Sequence, residues 1–166
     1  MSEEPQRFDI ADLDATARAV TLFTIGLLFI IPAAIGLTSR SVPRALAIAA
    51  MSAAILAGAY AFSPAGYVLA GATLRIRKKL WRSFTCTVEG FSDHPDPQRL
   101  GLRVAGSSGG FGWYGRFRRR DIGMYRAHLS SRDSDVVVAL QTSAGIVVVS
   151  PENRKAFVAA IRKALR

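Results

Sequence analysis

Two long stretches without a single charge constrain this chain more than anything else in it. Between Arg18 and Arg40 lie 21 residues, and between Arg44 and Arg75 lie 30, none of them Asp, Glu, Lys or Arg. A helix crosses a hydrocarbon layer of about 30 Å with roughly 20 apolar residues. The first run fits that length, which predicts a membrane helix over 19–37. The second overshoots it, and the breakers Ser63-Pro64-Ala65-Gly66 place the end of a second helix, 45–62, at Phe62. The turn between them, 38–44, is short and carries Arg40, Pro43 and Arg44, so the second helix must return antiparallel. Pro32 lies inside the first helix, a kink that membrane helices tolerate. Two uncharged runs of this length are unusual for a buried helix pair in so small a protein. The chain therefore divides into an N-terminal segment 1–18, a transmembrane helical hairpin 19–62 and a domain 64–166.

The second helix is dominated by alanine. Ala50, Ala54 and Gly58 recur at four-residue spacing, which lets helix backbones approach closely. The first helix, through Gly26, Ala33 and Gly36, is the economical partner, and another copy of the chain is the alternative. Neither helix holds a charge suited to transport or proton relay. The segment 1–18 opens with Glu3 and Glu4 and so lacks the basic start of a signal peptide, and Asp14 or Thr16 is placed to cap the first helix.

Charge sorts the chain as sharply as hydropathy. Residues 1–63 sum to −1, and residues 64–166 to +11, out of a total of +10. A polyanion is the natural partner of such a domain, although membrane-proximal domains are also basic for reasons of topology. Seven Lys/Arg flank the hairpin on the terminal side (Arg7, Arg18, Arg75, Arg77, Lys78, Lys79 and Arg82), against two in the turn. Positive residues mark the cytoplasmic side, which predicts both termini and the domain in the cytoplasm. The single cysteine, Cys86, permits no intrachain disulfide and no cysteine-based metal site.

Beyond Phe62 the texture turns to period two. Candidate strands fall at 67–69, 74–78, 84–89, 100–104, 122–129, 136–142 and 146–150, and a glycine-rich stretch, Gly106 to Gly115, interrupts them. One amphipathic helix follows, with Ser150 as the expected cap, Pro151 at its first position and a stripe of Ala156, Phe157, Ala160, Ile161, Ala164 and Leu165. Seven short strands and one helix imply a small bent sheet, barrel or sandwich, closed by the helix.

Three features give a resemblance. Gly109-Gly110-Phe111-Gly112-Trp113-Tyr114-Gly115-Arg116-Phe117 is a glycine–aromatic stretch in mid-domain. Gly123-Met124-Tyr125-Arg126-Ala127 opens the strand after it. Val149-Ser150-Pro151-Glu152-Asn153, with Phe157, leads into the closing helix. Over 64–166 the chain resembles the bacterial pleckstrin-homology-like (PH-like) domains, which often follow one or two membrane helices. The resemblance implies a seven-stranded, strongly bent sheet capped by a C-terminal helix, and a non-catalytic role in binding or assembly. It carries no ligand and no binding residue with it.

The candidate contacts come from the residues. Arg116, Arg118, Arg119 and Arg120 form the densest charge cluster, and Arg75, Arg77, Lys78, Lys79 and Arg82 lie just after the second helix. Each such residue near an anionic leaflet is worth about 1 kcal/mol. Trp113 and Tyr114 suit the headgroup level. The competing reading is a solvated loop, with Trp113 in the core. Gly110, Gly112 and Gly115 spell G-x-G-x-x-G, but no helix follows to meet a phosphate, so the glycines are read as a bulge or tight bend. The charges and aromatics form no known nucleic-acid module, which argues against that partner. His94 between Asp93 and Asp96 is read as a polar turn, and His128 as a strand residue, so no metal, cofactor or catalytic set is expected. The expected partners are the bilayer, anionic lipid headgroups, and a membrane or cytoplasmic protein or a second copy. An alternative role is that of accessory subunit to a membrane enzyme or transporter.

Overall fold

A computed structural model describes residues 4–39, 41–92 and 100–166. The turn residue Arg40 and the His94 loop lie outside the described residues. The first helix, α1, spans Ala15–Ser39, and α2 spans Val42–Phe62. Both are long and apolar enough to cross a membrane, with mean hydropathies of 2.4 and 1.9. Large side chains stand uncovered on both, among them Leu22, Phe29, Leu37, Leu46 and Ile55. Gly36 approaches α2 closely enough that a Cβ there would meet the Ala45 Cβ at 3.4 Å. The covered side of α2 carries Ala45, Ala49, Ser52 and Leu56, whereas Ala50 and Ala54 are exposed. Of the expected small-residue line, Ala50 and Ala54 thus stay uncovered, while Gly58 is partly covered and shares a cleft wall with Val20 and Thr24 of α1.

Among the described residues, nine strands follow the order β1-β2-β3-β4-β8-β9-β7-β6-β5 in one sheet. They are β1 (Gln6–Phe8), β2 (Pro64–Ala70), β3 (Thr73–Lys78), β4 (Phe84–Phe91), β5 (Leu102–Gly109), β6 (Gly112–Arg119), β7 (Gly123–Leu129), β8 (Val138–Thr142) and β9 (Gly145–Val149). All pairings are antiparallel except β7 with β9. The expected count of seven is corrected to nine for two reasons. First, residues 6–8 precede α1 yet pair with β2, Arg7 opposite Val68. Three residues give too short a period-two signal to read. Second, the glycine-rich stretch is no interruption. It is a β-hairpin, β5–β6, which turns at Gly110-Phe111.

The glycines are what let that hairpin close. Gly106 faces Gly115 across it at φ of 116° and 123°. A Cβ on Gly106 would sit 2.0 Å from the Tyr114 oxygen, and one on Gly115 would sit 2.1 Å from the Ala105 oxygen. No side chain fits either position.

The central strands β8 and β9 are buried on both faces. Val138, Leu140, Val147 and Val149 join one core with Tyr67, Leu74, Ile76, Phe157 and Ile161. Ala139 and Val148 join a second core with Trp113, Phe117, Tyr125, Leu129 and Ala17 of α1. The closing helix, α3, spans Arg154–Ala164 and is capped by Asn153, whose side chain accepts from the Ala156 amide at 3.0 Å. Ser150 was the expected cap. It is instead fully buried, and its hydroxyl accepts from the Ser130 amide at 2.9 Å. Pro151 bridges to Ile10. A chain that enters the core this way cannot begin a helix until it leaves it.

Candidate functional site

The foot of the helical hairpin is built into the sheet. Asp14 ends the N-terminal segment and caps α1, its Oδ1 accepting from the Ala17 amide at 2.6 Å. Its Oδ2 accepts from the Arg132 amide at 3.0 Å and from Trp113 Nε1 at 3.3 Å. The Arg132 guanidinium lies 4.0 Å above the Trp113 ring. One turn further along α1, Thr21 Oγ1 accepts from the Phe111 amide at 3.0 Å. Phe111 holds a left-handed φ of 56° at the tip of the β5–β6 hairpin, a cost for a non-glycine residue that this bond and an edge-on contact with Tyr60 of α2 help to offset. The Tyr114 hydroxyl donates to the Ala59 carbonyl of α2. Both helices are therefore gripped by one hairpin of the sheet, near the start of α1 and the end of α2.

Beside this grip opens a cleft of about 860 Å³. Val20 and Thr24 of α1 and Ile55, Gly58, Ala59 and Phe62 of α2 form one wall, while Lys78, Arg103, Ser107, Tyr114, Arg116 and His128 are prominent on the others. The register explains the convergence. On β6 the alternate residues Tyr114 and Arg116 share a face, Tyr114 opposite His128 and Arg116 opposite Arg126 of β7. Lys78 ends β3 and lies 5.2 Å above the Phe62 ring. Arg126 lies 4.8 Å above Phe84, which stacks on His128 at 5.4 Å.

Among the described residues, no carboxylate lines the cleft. Burial, and then the Arg126 charge, push the Lys78 ammonium below its ordinary range. His128 is 6 % exposed, and neither ring nitrogen has a hydrogen-bond partner. Burial, with Lys78 and Arg126 nearby, lowers its pKa to about 3, so the imidazole is neutral. Arg126 lies close enough to disfavour the Lys78 charge, and among the described residues no ion pair neutralises Lys78, Arg103, Arg116 or Arg126.

The residues singled out from the sequence do not form one patch. Lys78, Arg116 and Tyr114 come together in the cleft. Arg75, Arg77 and Arg82 line a second, outer cleft on β2–β4 with Arg7 and Thr85. Lys79 lies 4.5 Å above the Tyr60 ring. Arg118 is exposed on β6, and Arg120 sits in the turn after it. Arg119 points to the opposite face of β6 from Arg118 and pairs with Asp121, Nε to Oδ1 at 2.9 Å. Trp113 is buried in the second core, 8 % exposed. The run 116–120 is therefore strand and turn and not a loop, and strand alternation splits its charges between two faces. Arg103 and Arg126 have no site role in the sequence reading, and neither has His128, expected as a surface or partly buried strand residue and in fact buried. Their signal is the pairing of β5, β6 and β7, which a linear charge count does not contain.

The Ser130 and Ser150 hydroxyls lie 3.1 Å apart and the Ser130 hydroxyl donates to the Ala11 carbonyl, so both are engaged in structure. Burial pushes the Cys86 thiol up, away from the reactive thiolate. Among the described residues, no three His, Cys, Asp or Glu side chains are grouped to hold a metal.

Comparison with protein families finds one matching description, the bacterial PH domain, over residues 88–165. Comparison with curated proteins and with solved structures finds no match. The matched region holds all three sequence features of the resemblance, the β5–β6 hairpin, β7 and the approach to α3. PH domains are in general binding modules without catalytic activity. Residues 88–165 of this chain, from within β4 to the end of α3, match the bacterial PH domain family.

Proposed function

We propose that the chain is a non-catalytic bacterial inner-membrane protein that presents a basic PH-like binding module on the cytoplasmic face, serving contact with the anionic leaflet and assembly with protein partners. One observation carries this reading. The β5–β6 hairpin grips both apolar helices through Thr21, Ala59 and Tyr60. A domain held in that way cannot swing freely, so its cationic cleft stays at the level where the helices would leave the bilayer. The uncovered apolar surface of α1 and α2 and the excess of Lys/Arg on the terminal side support the same arrangement.

Alkaline carbonate extraction of native membranes tests the anchor, and thiol labelling tests the orientation. Ser41→Cys, in the turn, should react with an impermeant reagent in intact cells, whereas Ser134→Cys, exposed on the domain, should react only after lysis. Cys86 is buried and its thiol is held protonated, so it gives little background. Labelling of Ser134→Cys in intact cells would reverse the orientation, and release of the chain by carbonate would remove the anchor.

A second reading, an accessory subunit of a membrane enzyme or transporter, is favoured by the exposed line of Ala50 and Ala54 on α2. It requires a stoichiometric membrane partner in an affinity pull-down from detergent extract.

A further inference from the structure

The cleft at the hairpin foot has two unlike walls, and together they narrow what can fill it. One wall is apolar and continuous with uncovered helix surface, since Phe23 lies three residues beyond Val20 on α1, and Ile55 is itself 61 % exposed. The other wall is cationic, with Lys78, Arg103 and Arg116 and, among the described residues, no carboxylate. His128 adds an unpartnered, buried N–H donor on the same side. A small phosphate compound would satisfy the cations and leave the apolar wall bare. An acyl chain alone would leave the cations crowded and unneutralised. An anionic amphiphile satisfies both, and a volume of about 860 Å³ lies within the range of small-molecule sites.

We propose that this cleft binds one anionic phospholipid from the adjoining leaflet, with its phosphate between Lys78, Arg103 and Arg116 and an acyl chain against Val20, Ile55 and Phe62. The proposal rests on the membrane-anchored reading and names the ligand of its cationic face. His128, neutral and without a protein partner, donates to the phosphate or ester oxygens. The phosphate relieves the repulsion that Arg126 exerts on Lys78. The lipid stays attached to the protein because its head and its tail are held by different elements, the sheet and the hairpin. This distinguishes the cleft from a charged surface that merely faces a membrane.

The test is native mass spectrometry of the full chain in detergent micelles, titrated with dioleoyl phosphatidylglycerol or dioleoyl phosphatidylcholine. The wild type should retain one phosphatidylglycerol per chain and release phosphatidylcholine. The triple variant Lys78→Gln, Arg103→Gln, Arg116→Gln should lose affinity by about 100-fold, at roughly 1 kcal/mol per juxtamembrane charge. The matched variant Arg75→Gln, Arg77→Gln, Arg82→Gln removes equal charge from the outer cleft and should bind as the wild type does. Gly58→Leu fills the apolar wall where no atom lies within 4 Å of a built Cβ, and should lower retention at least about tenfold with every cation intact. Equal losses in both charge variants, equal retention of the two lipids, or unimpaired binding by Gly58→Leu would each overturn the proposal. So would competition by inorganic phosphate at the lipid's own concentration, since the apolar wall would then be unused. A chain that resists carbonate extraction yet fails these tests keeps its anchor and loses the lipid site. A chain that carbonate releases loses both.

Discussion

Two of the basic clefts of this molecule hold similar numbers of cations and differ in almost everything else. The outer cleft presents Arg7, Arg75, Arg77 and Arg82 on the solvent face of β1–β3 and the turn beyond, over Val68, Ala70 and Thr73. Alternation sends their neighbours Leu74 and Ile76 into the core and leaves the arginines in water. The inner cleft presents Lys78, Arg103 and Arg116 against the foot of two apolar helices, with His128 buried at its wall. Arg103 and Arg116 are exposed like the outer arginines and Lys78 is partly buried, so what sets the inner cleft apart is the apolar wall beside its charges. Charge density along the chain therefore does not identify a site here. What identifies it is charge that the fold holds next to apolar surface without a counter-ion.

If the inner cleft is a built site, its walls should resist change and those of the outer cleft should not. The largest effect is expected at Gly115. Gly115→Ala places a Cβ 2.1 Å from the Ala105 oxygen at a φ of 123°. Strain and overpacking together should cost about 3–5 kcal/mol in chemical unfolding in detergent. A cost under about 1 kcal/mol would mean that β5 and β6 do not close against each other.

Asp14→Ala comes next. It removes a helix cap, worth about 1 kcal/mol, and leaves the Arg132 amide and Trp113 Nε1 without their acceptor. The sum should be about 2–3 kcal/mol, and Asp14→Asn should recover part of it. A value no larger than for an isolated cap would show that the hairpin foot and the sheet are not coupled through this carboxylate.

The pH dependence is smaller and has a defined sign. His128 is lowered from 6.5 to about 3 on folding, so between those values the unfolded chain binds a proton that the folded chain refuses. Stability should be unaffected by His128 above pH 6.5 and should fall as pH drops below it, by about 1.4 kcal/mol per unit. His128→Phe should flatten this slope and cost little at pH 7, because neither ring nitrogen has a partner to lose. An unchanged slope would place the acid sensitivity elsewhere.

The smallest effect is expected in the outer cleft. Arg75→Gln and Arg77→Gln should each leave stability within about 0.5 kcal/mol. A larger loss there would erase the contrast between the two clefts.

Much of the architecture was legible in the residues because it rests on composition over long stretches. Two uncharged runs specify the helices, and the stripe of Phe157 and Ile161 specifies α3. The failures share a cause, which is that the deciding partner lies far away in sequence. Gln6–Phe8 is a strand only because β2 offers an edge. Ser150 looks like a cap until Ser130 and Tyr67 claim it. The strand β6 reads as a loop because its glycines break the pattern, yet those glycines allow its pairing with β5. The candidate site failed in the same way. Arg116 and Arg119 are three residues apart and face opposite sides, while Arg103 and Arg126 flank the hairpin from β5 and β7.

The central claim is that hairpin and sheet form one body at the hairpin foot. Hydrogen exchange of the full chain in lipid nanodiscs tests it most directly, read at the Phe111 amide, which is bonded to Thr21, and at the Ala11 amide, which is bonded to the Ser150 carbonyl. The account predicts protection at both comparable to that of Val148 in the central strand β9. Exchange at Phe111 as fast as at the exposed Ser134, with β9 still protected, would show a domain that swings free of its helices and would contradict the account.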